Sequence, residues 1–146
     1  MTALSPLRPE QSGVFLVSRA LPALRKAAQR TQCAWLEVSL HGVRDKAGFL
    51  AACARGLKFP PHFGANWDAF SDCINDFAWA EGTGYVIVIE QVERFARQAP
   101  DEWATALEIL RGTADAWRVR NRTFVVMLDY APAVSAVDRF PEPPLA

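Results

Sequence analysis

Asp68, Asp72 and Asp76 recur at i, i+4 and i+8 within Asn66–Phe77, a spacing that lines carboxylates along one side of a helix. At about 100° per residue, Trp67, Phe70, Ile74 and Phe77 gather on the opposite side. Like charges one turn apart destabilise a helix by about 0.2–0.5 kcal/mol per pair. Nothing near in sequence offsets them: from Phe59 to Glu93 the charged residues are Asp68, Asp72, Asp76, Glu81, Glu90 and Glu93, with no Lys or Arg. Such a row can offer charge-assisted hydrogen bonds to Arg, Lys or His, and implies a basic partner. The three acids do not weigh equally. Asp68 follows the expected cap Asn66 by two residues and would complement the helix dipole whatever its function. Asp76, at the helix end, also reads as a solvated residue. Asp72 lies mid-helix with a carboxylate a turn away on either side, and for it both binding and plain solvation remain open.

Catalytic chemistry finds little to work with. His41 and His62 are the only histidines, and neither stands at metal-ligand spacing from another His or a Cys. Gly82-Thr83-Gly84 lacks the third glycine of a dinucleotide fingerprint and precedes a strand instead of opening a helix. No serine sits in a nucleophile elbow. His62 with Asp68 and Asp72 could form an acid–base group, but carboxylates on an exposed helix face have nothing to shift their pKa values. The expectation is a protein that is not an enzyme and uses no cofactor or metal.

The elements that must position the acids are legible in outline. Leu36, Val38 and Leu40 alternate with Trp35, Glu37 and Ser39, as in a strand. Asp45 caps a helix that carries Phe49, Leu50 and Cys53 inward and closes at Gly56. The loop Lys58–Ala65 is stiffened by Pro60 and Pro61 and turned by Gly64. Tyr85–Ile89 and Phe124–Leu128 are continuous apolar runs, expected of strands covered on both faces. Between them come a short helical turn at Phe95 and a long helix marked by Trp103, Ala106, Leu107, Leu110, Ala114 and Trp117. Val14–Val17 suggests a further strand. Arg19–Arg30 suggests a helix whose basic face (Arg19, Arg25, Lys26, Arg30) is most simply solvated, a self-docking role being the lesser alternative.

Strands alternating with helices imply an α/β domain with a small parallel sheet of about three strands. The expected division is an N-terminal extension (1–32), a central domain (33–129) and a proline-rich tail (130–146). At 146 residues, 51% hydrophobic and 22% charged, the chain is ordinary for one globular domain. Zero formal net charge argues against nucleic-acid binding, which demands a basic patch. Cys33, Cys53 and Cys73 fall in apolar contexts and read as free thiols of a reducing compartment. Val14–Leu24 is broken by Arg19 and Pro22, so it reads as no signal peptide, and no apolar run reaches the roughly 20 residues that span a bilayer. The expected location is the cytoplasm.

Leu57–Ile74 also resembles a known signature: a Pro, an aromatic pair, Gly-x-Asn-x-Asp-Ala, then an Asp-Cys pair four residues after the first Asp. It is similar to the loop and helix of the barstar family, intracellular inhibitors of barnase-type ribonucleases, and the order of elements from Ala34 to Leu128 agrees. The resemblance implies a barstar-like fold and a 1:1 complex with a small basic ribonuclease, whose active site the loop and helix would plug. Asp72 would then be the central mimic of an RNA phosphate and Asp68 would pair with a neighbouring Arg. Gly64 and Asn66 would shape the loop and offer hydrogen bonds, His62 and Phe63 would pack on the enzyme, and Asp76 would extend the acidic face. Three positions depart from the family pattern. His62 replaces the first loop aromatic, Ser71 replaces a tryptophan before the central Asp, and Gly112 falls where the long helix carries an acid, with Glu108 a turn away. The same face on an adaptor or immunity protein for a basic partner that is not a ribonuclease is the alternative.

Overall fold

In the computed structural model, which describes residues 9–17, 21–30, 33–60, 63–76 and 84–129, a short 3-10 turn precedes β1 (Gly13–Val17) and α1 (Leu21–Arg30). Then follow β2 (Ala34–Ser39), α2 (Lys46–Gly56), α3 (Trp67–Asn75), β3 (Gly84–Glu90), α4 (Glu93–Gln98), α5 (Pro100–Val119) and β4 (Thr123–Asp129). The strands form one parallel sheet in the order β1-β4-β3-β2. β3 and β4 lie inside it, and their apolar runs are buried on both faces. This is the expected α/β sheet, with four strands because β1 pairs with β4 from Gly13↔Val125 to Val17↔Asp129. The pairing follows from burial: Val14 and Leu16 join the core that holds Val126 and Leu128, and β1 satisfies backbone groups that β4 would otherwise expose.

The placement of helices follows from crossover handedness. From β2 to β3 to β4 the chain steps one way across the sheet, and residues of α2 to α5 pack on the face of Tyr85, Ile87, Ile89, Phe124, Val126 and Leu128. The β1-to-β2 connection steps the other way, so a right-handed crossover must pass over the other face. There, Ala28 of α1 and Cys33 cluster with Val86, Val88, Val125 and Met127. The basic face of α1 is partly engaged: the Arg25 guanidinium sits 5.7 Å from the Trp35 ring centroid and 3.8 Å from Glu37 of β2. Arg19 lies outside the described residues.

Aromatic packing joins the helices. Phe49 of α2 stacks on Phe95 of α4 at 4.9 Å and meets Phe70 of α3 edge-on at 5.7 Å. Trp117 of α5 contacts Tyr85 and Phe124 at 4.7 and 5.4 Å. Two glycines mark close backbone approaches. A Cβ at Gly56 would lie 2.5 Å from the Glu37 carbonyl oxygen, so α2 can end against β2 only with glycine there. A Cβ at Gly84 would lie 2.6 Å from the Thr123 carbonyl oxygen.

Gly64 does not turn its loop in the way glycine freedom would suggest. Among the described residues of the loop the left-handed ones are Lys58 (φ 58°) and Ala65 (φ 52°), the latter directly before the extended cap Asn66. The thiols are free, but Cys73 is half-buried where Cys33 and Cys53 are buried, because α3 turns it toward a surface cleft.

A candidate protein-binding face on the acidic helix

Local sequence sets α3. Asn66 Oδ1 accepts the Ala69 N–H at 2.7 Å, a side-chain cap, and its Nδ2 donates to the Gly64 carbonyl at 3.4 Å. Phe70 and Ile74 are buried, Trp67 is half-buried against Phe49 and Phe70, and Phe77 lies outside the described residues. At the far end Asn75 Nδ2 donates to the Ser71 carbonyl at 2.8 Å and to Thr113 Oγ1 of α5 at 3.1 Å. The inner face and the Asn75–Thr113 bond fix the helix roll, which leaves Asp68 and Asp72 exposed. Among the described residues neither makes an ion pair.

Asp76 departs from the expected row. The helix stops at Asn75, and Asp76 is its C-cap with extended backbone (φ −94°, ψ 123°). Its carboxylate stands at the negative end of the helix dipole, an unfavourable place on dipole grounds. Asp76 and Asp72 still share a site: with Pro60, Phe63, Gly64 and Cys73 they line a cleft of about 260 Å³. Phe63 is half-buried, rests on buried Phe59 at 5.0 Å and donates its N–H to the Pro60 carbonyl at 3.0 Å. Gly64 is exposed, and a Cβ there would meet only Asn66 Nδ2 at 3.4 Å and Ala69 Cβ at 3.6 Å. Among the described residues nothing therefore requires glycine here, and its bare backbone opens one wall of the cleft.

Of the residues singled out in the sequence, Phe63, Gly64, Asp72 and Asp76 meet at this cleft. Asn66 and Asp68 sit beside it at the start of α3, and His62 lies outside the described residues. Sequence reasoning missed Cys73 as a lining residue. Burial pushes its thiol pKa up, and Asp72 and then Asp76 push it further. Its position between those two acids was the available signal. Gly112, in the middle of α5, is exposed with nothing within 4 Å of where a Cβ would stand. Among the described residues no cluster of three His, Cys, Asp or Glu could hold a metal, and no helix is long and apolar enough to cross a membrane.

The molecule is thus an α/β protein with a small parallel sheet, helices on both faces, and a helix beside an open cleft whose exposed Asp68 and Asp72 make no ion pair among the described residues. A family profile described as Barstar (barnase inhibitor) matches residues 33–129, and the chain belongs to that family. A search of curated proteins returns no match. Among the chains of solved structures that are similar are one in Drosophila ORC bound to DNA (18% identity, TM-score 0.49) and one in Drosophila ORC bound to AT-rich DNA and Cdc6 (12%, 0.42). The alignments cover 82% and 86% of this chain but 32% and 43% of those, so this protein spans less than half the length of either. At these values the likeness says nothing about function.

Proposed function

We propose that this protein inhibits a small basic ribonuclease in a 1:1 complex, presenting α3 and the loop before it to the enzyme's active site. The observation that carries the reading is Asp72: mid-helix, exposed, on the wall of a cleft, and without an ion pair among the described residues. Asp72 takes the place of an RNA phosphate among the enzyme's cationic side chains, where carboxylate–guanidinium hydrogen bonds are short and frequently bidentate. Asp68 pairs with a flanking cation, and Asp76 extends the acidic wall. Phe63 and Pro60 supply the apolar side, with His62 the next contact along the loop. Gly64 and Asn66 let the enzyme's backbone come close. Family membership supports the inhibitor class.

The test is RNA cleavage by small secreted ribonucleases titrated with the protein and with Asp72→Ala. Stoichiometric inhibition by wild type and a loss of at least about 2 kcal/mol, some thirtyfold in affinity, in the variant are expected. A variant that inhibits as well as wild type would remove Asp72 from its role.

A second reading draws on Ser71 and Gly112, small residues where the family pattern has a tryptophan and an acid. They give this face a different relief, which suits a basic partner that is not a ribonuclease. Capture on the immobilised protein separates the two, since the partner either cleaves RNA or does not.

A further inference from the structure

A second cleft, of about 390 Å³, opens where β2 and β3 end. It shares no residue with the cleft beside α3. The volume falls at the small end of the range for ligand sites. Leu40, His41 and Gly42 come directly off β2, Gln91 directly off β3, and Glu93, Arg94 and Arg97 from α4.

Three strand ends hold this geometry. His41 Nδ1 lies 3.0 Å from Gln91 Oε1. Gln91 adopts φ 60°, a left-handed conformation unusual for a residue with a side chain. Asp129, at the end of β4, holds it there: Oδ2 accepts the Gln91 N–H at 2.6 Å and Oδ1 the Val92 N–H at 3.4 Å. The carboxylate of one strand thus clamps the turn after the next, and both partners of the His41–Gln91 pair line the cleft. Gly42, at φ 75° with nothing within 4 Å of where a Cβ would stand, leaves the rim open.

The lining carries an excess of positive charge in a chain of zero formal net charge. Arg94 and Arg97 stand three residues apart on α4, both exposed. Among the described residues Glu93 is the one carboxylate in the lining, and it approaches Arg97 only to 3.8 Å. Arg94 makes no ion pair among the described residues. Guanidinium forks match tetrahedral oxyanions, and two of them against one carboxylate leave a net positive charge that favours an anionic ligand. With Nδ1 engaged by Gln91 Oε1, the Nε2 of His41 is left to hydrogen-bond a ligand hydroxyl.

We propose that this cleft binds a small phosphomonoester: Arg94 and Arg97 take the oxyanion, and His41 with Gln91 takes a hydroxyl of the esterified group. The test is a titration of the full chain, followed by backbone amide NMR, with glycerol 3-phosphate, inorganic phosphate and succinate as probes. Glycerol 3-phosphate should give saturable shifts confined to residues 40–42 and 91–97, and should bind severalfold more tightly than either other probe. Arg94→Ala/Arg97→Ala should weaken it at least about tenfold while the thermal melt is unchanged. Asp72→Ala should leave it unaffected, so the outcome is independent of the ribonuclease titration. No saturation below about 10 mM, an unchanged midpoint in the double arginine variant, or equal affinity for inorganic phosphate or succinate would each overturn the proposal.

Discussion

Asp72 occupies a helix interior, where aspartate is a poor choice, and Asp68 repels it from one turn away. Alanine would remove both penalties. Asp72→Ala is therefore expected to raise stability by about 1 kcal/mol, or about 2–4 °C in melting temperature, read by thermal circular dichroism. A stabilised variant that no longer inhibits is the signature of a residue kept for binding, whereas a lowered melt would mean that Asp72 serves the fold. Cys73 reports on the same acid. Burial is the main reason its thiol pKa is raised, with Asp72 and Asp76 adding to it. A raised pKa means less thiolate at a given pH, and the thiolate is the form that reacts. In Asp72→Ala the pH midpoint for iodoacetamide alkylation of Cys73 should fall, while remaining above the ordinary thiol value because burial persists. Cys33 and Cys53 are buried, and burial also pushes the Cys53 thiol far up, so neither should compete. A midpoint that does not move would mean that the Asp72 carboxylate does not act on the thiol.

α3 is secured at both ends by different kinds of information. Its start was readable, because Asn66 lies three residues before the N–H it caps, as Asp45 does before Gly48 at 2.8 Å. Its end was not, because Asn75 is tied to Thr113, 38 positions away. Thr113 is 2% exposed, and its hydroxyl also donates to the Ile109 carbonyl at 2.8 Å. Thr113→Val keeps the shape and removes the acceptor that Asn75 uses. The expected cost is about 1–2 kcal/mol in urea denaturation, together with a severalfold loss of inhibition as the last turn of α3 loosens between Asp72 and Asp76. If both measurements match wild type, the bond does not position the helix.

Across the whole molecule, β1 and α1 complete opposite sides of the sheet. β1 closes the edge of β4 and adds Val14 and Leu16 to the larger core, while α1 brings Ala28 onto the face of Val86, Val88, Val125 and Met127. Deleting residues 1–32 would unpair β4 and strip that second face. Losing Val14 and Leu16 alone removes about 3–6 kcal/mol of burial, comparable to the stability of a small domain. The truncated protein should lose its cooperative melt or aggregate, as followed by circular dichroism and light scattering, even though the family match spans only 33–129. A soluble truncation with the wild-type melt would show that β1 and α1 merely decorate the domain.

Local physics in the sequence determined most elements: the alternation of β2, the apolar runs of β3 and β4, the helical spacing from Trp103 to Trp117, both side-chain caps and the segregation of acids into one segment. Each depends on neighbours within a turn or two, which periodicity and capping report directly. Tertiary structure decided what distant segments do to one another. It set β1 beside β4, required glycine where α2 meets β2, ended α3 before Asp76, and gathered Asp72, Asp76, Phe63 and Gly64 around one cleft. It also brought Asp129 to the turn after β3, which aligns Gln91 with His41. No local pattern encodes those contacts, because they are settled by which surfaces bury best once the elements exist.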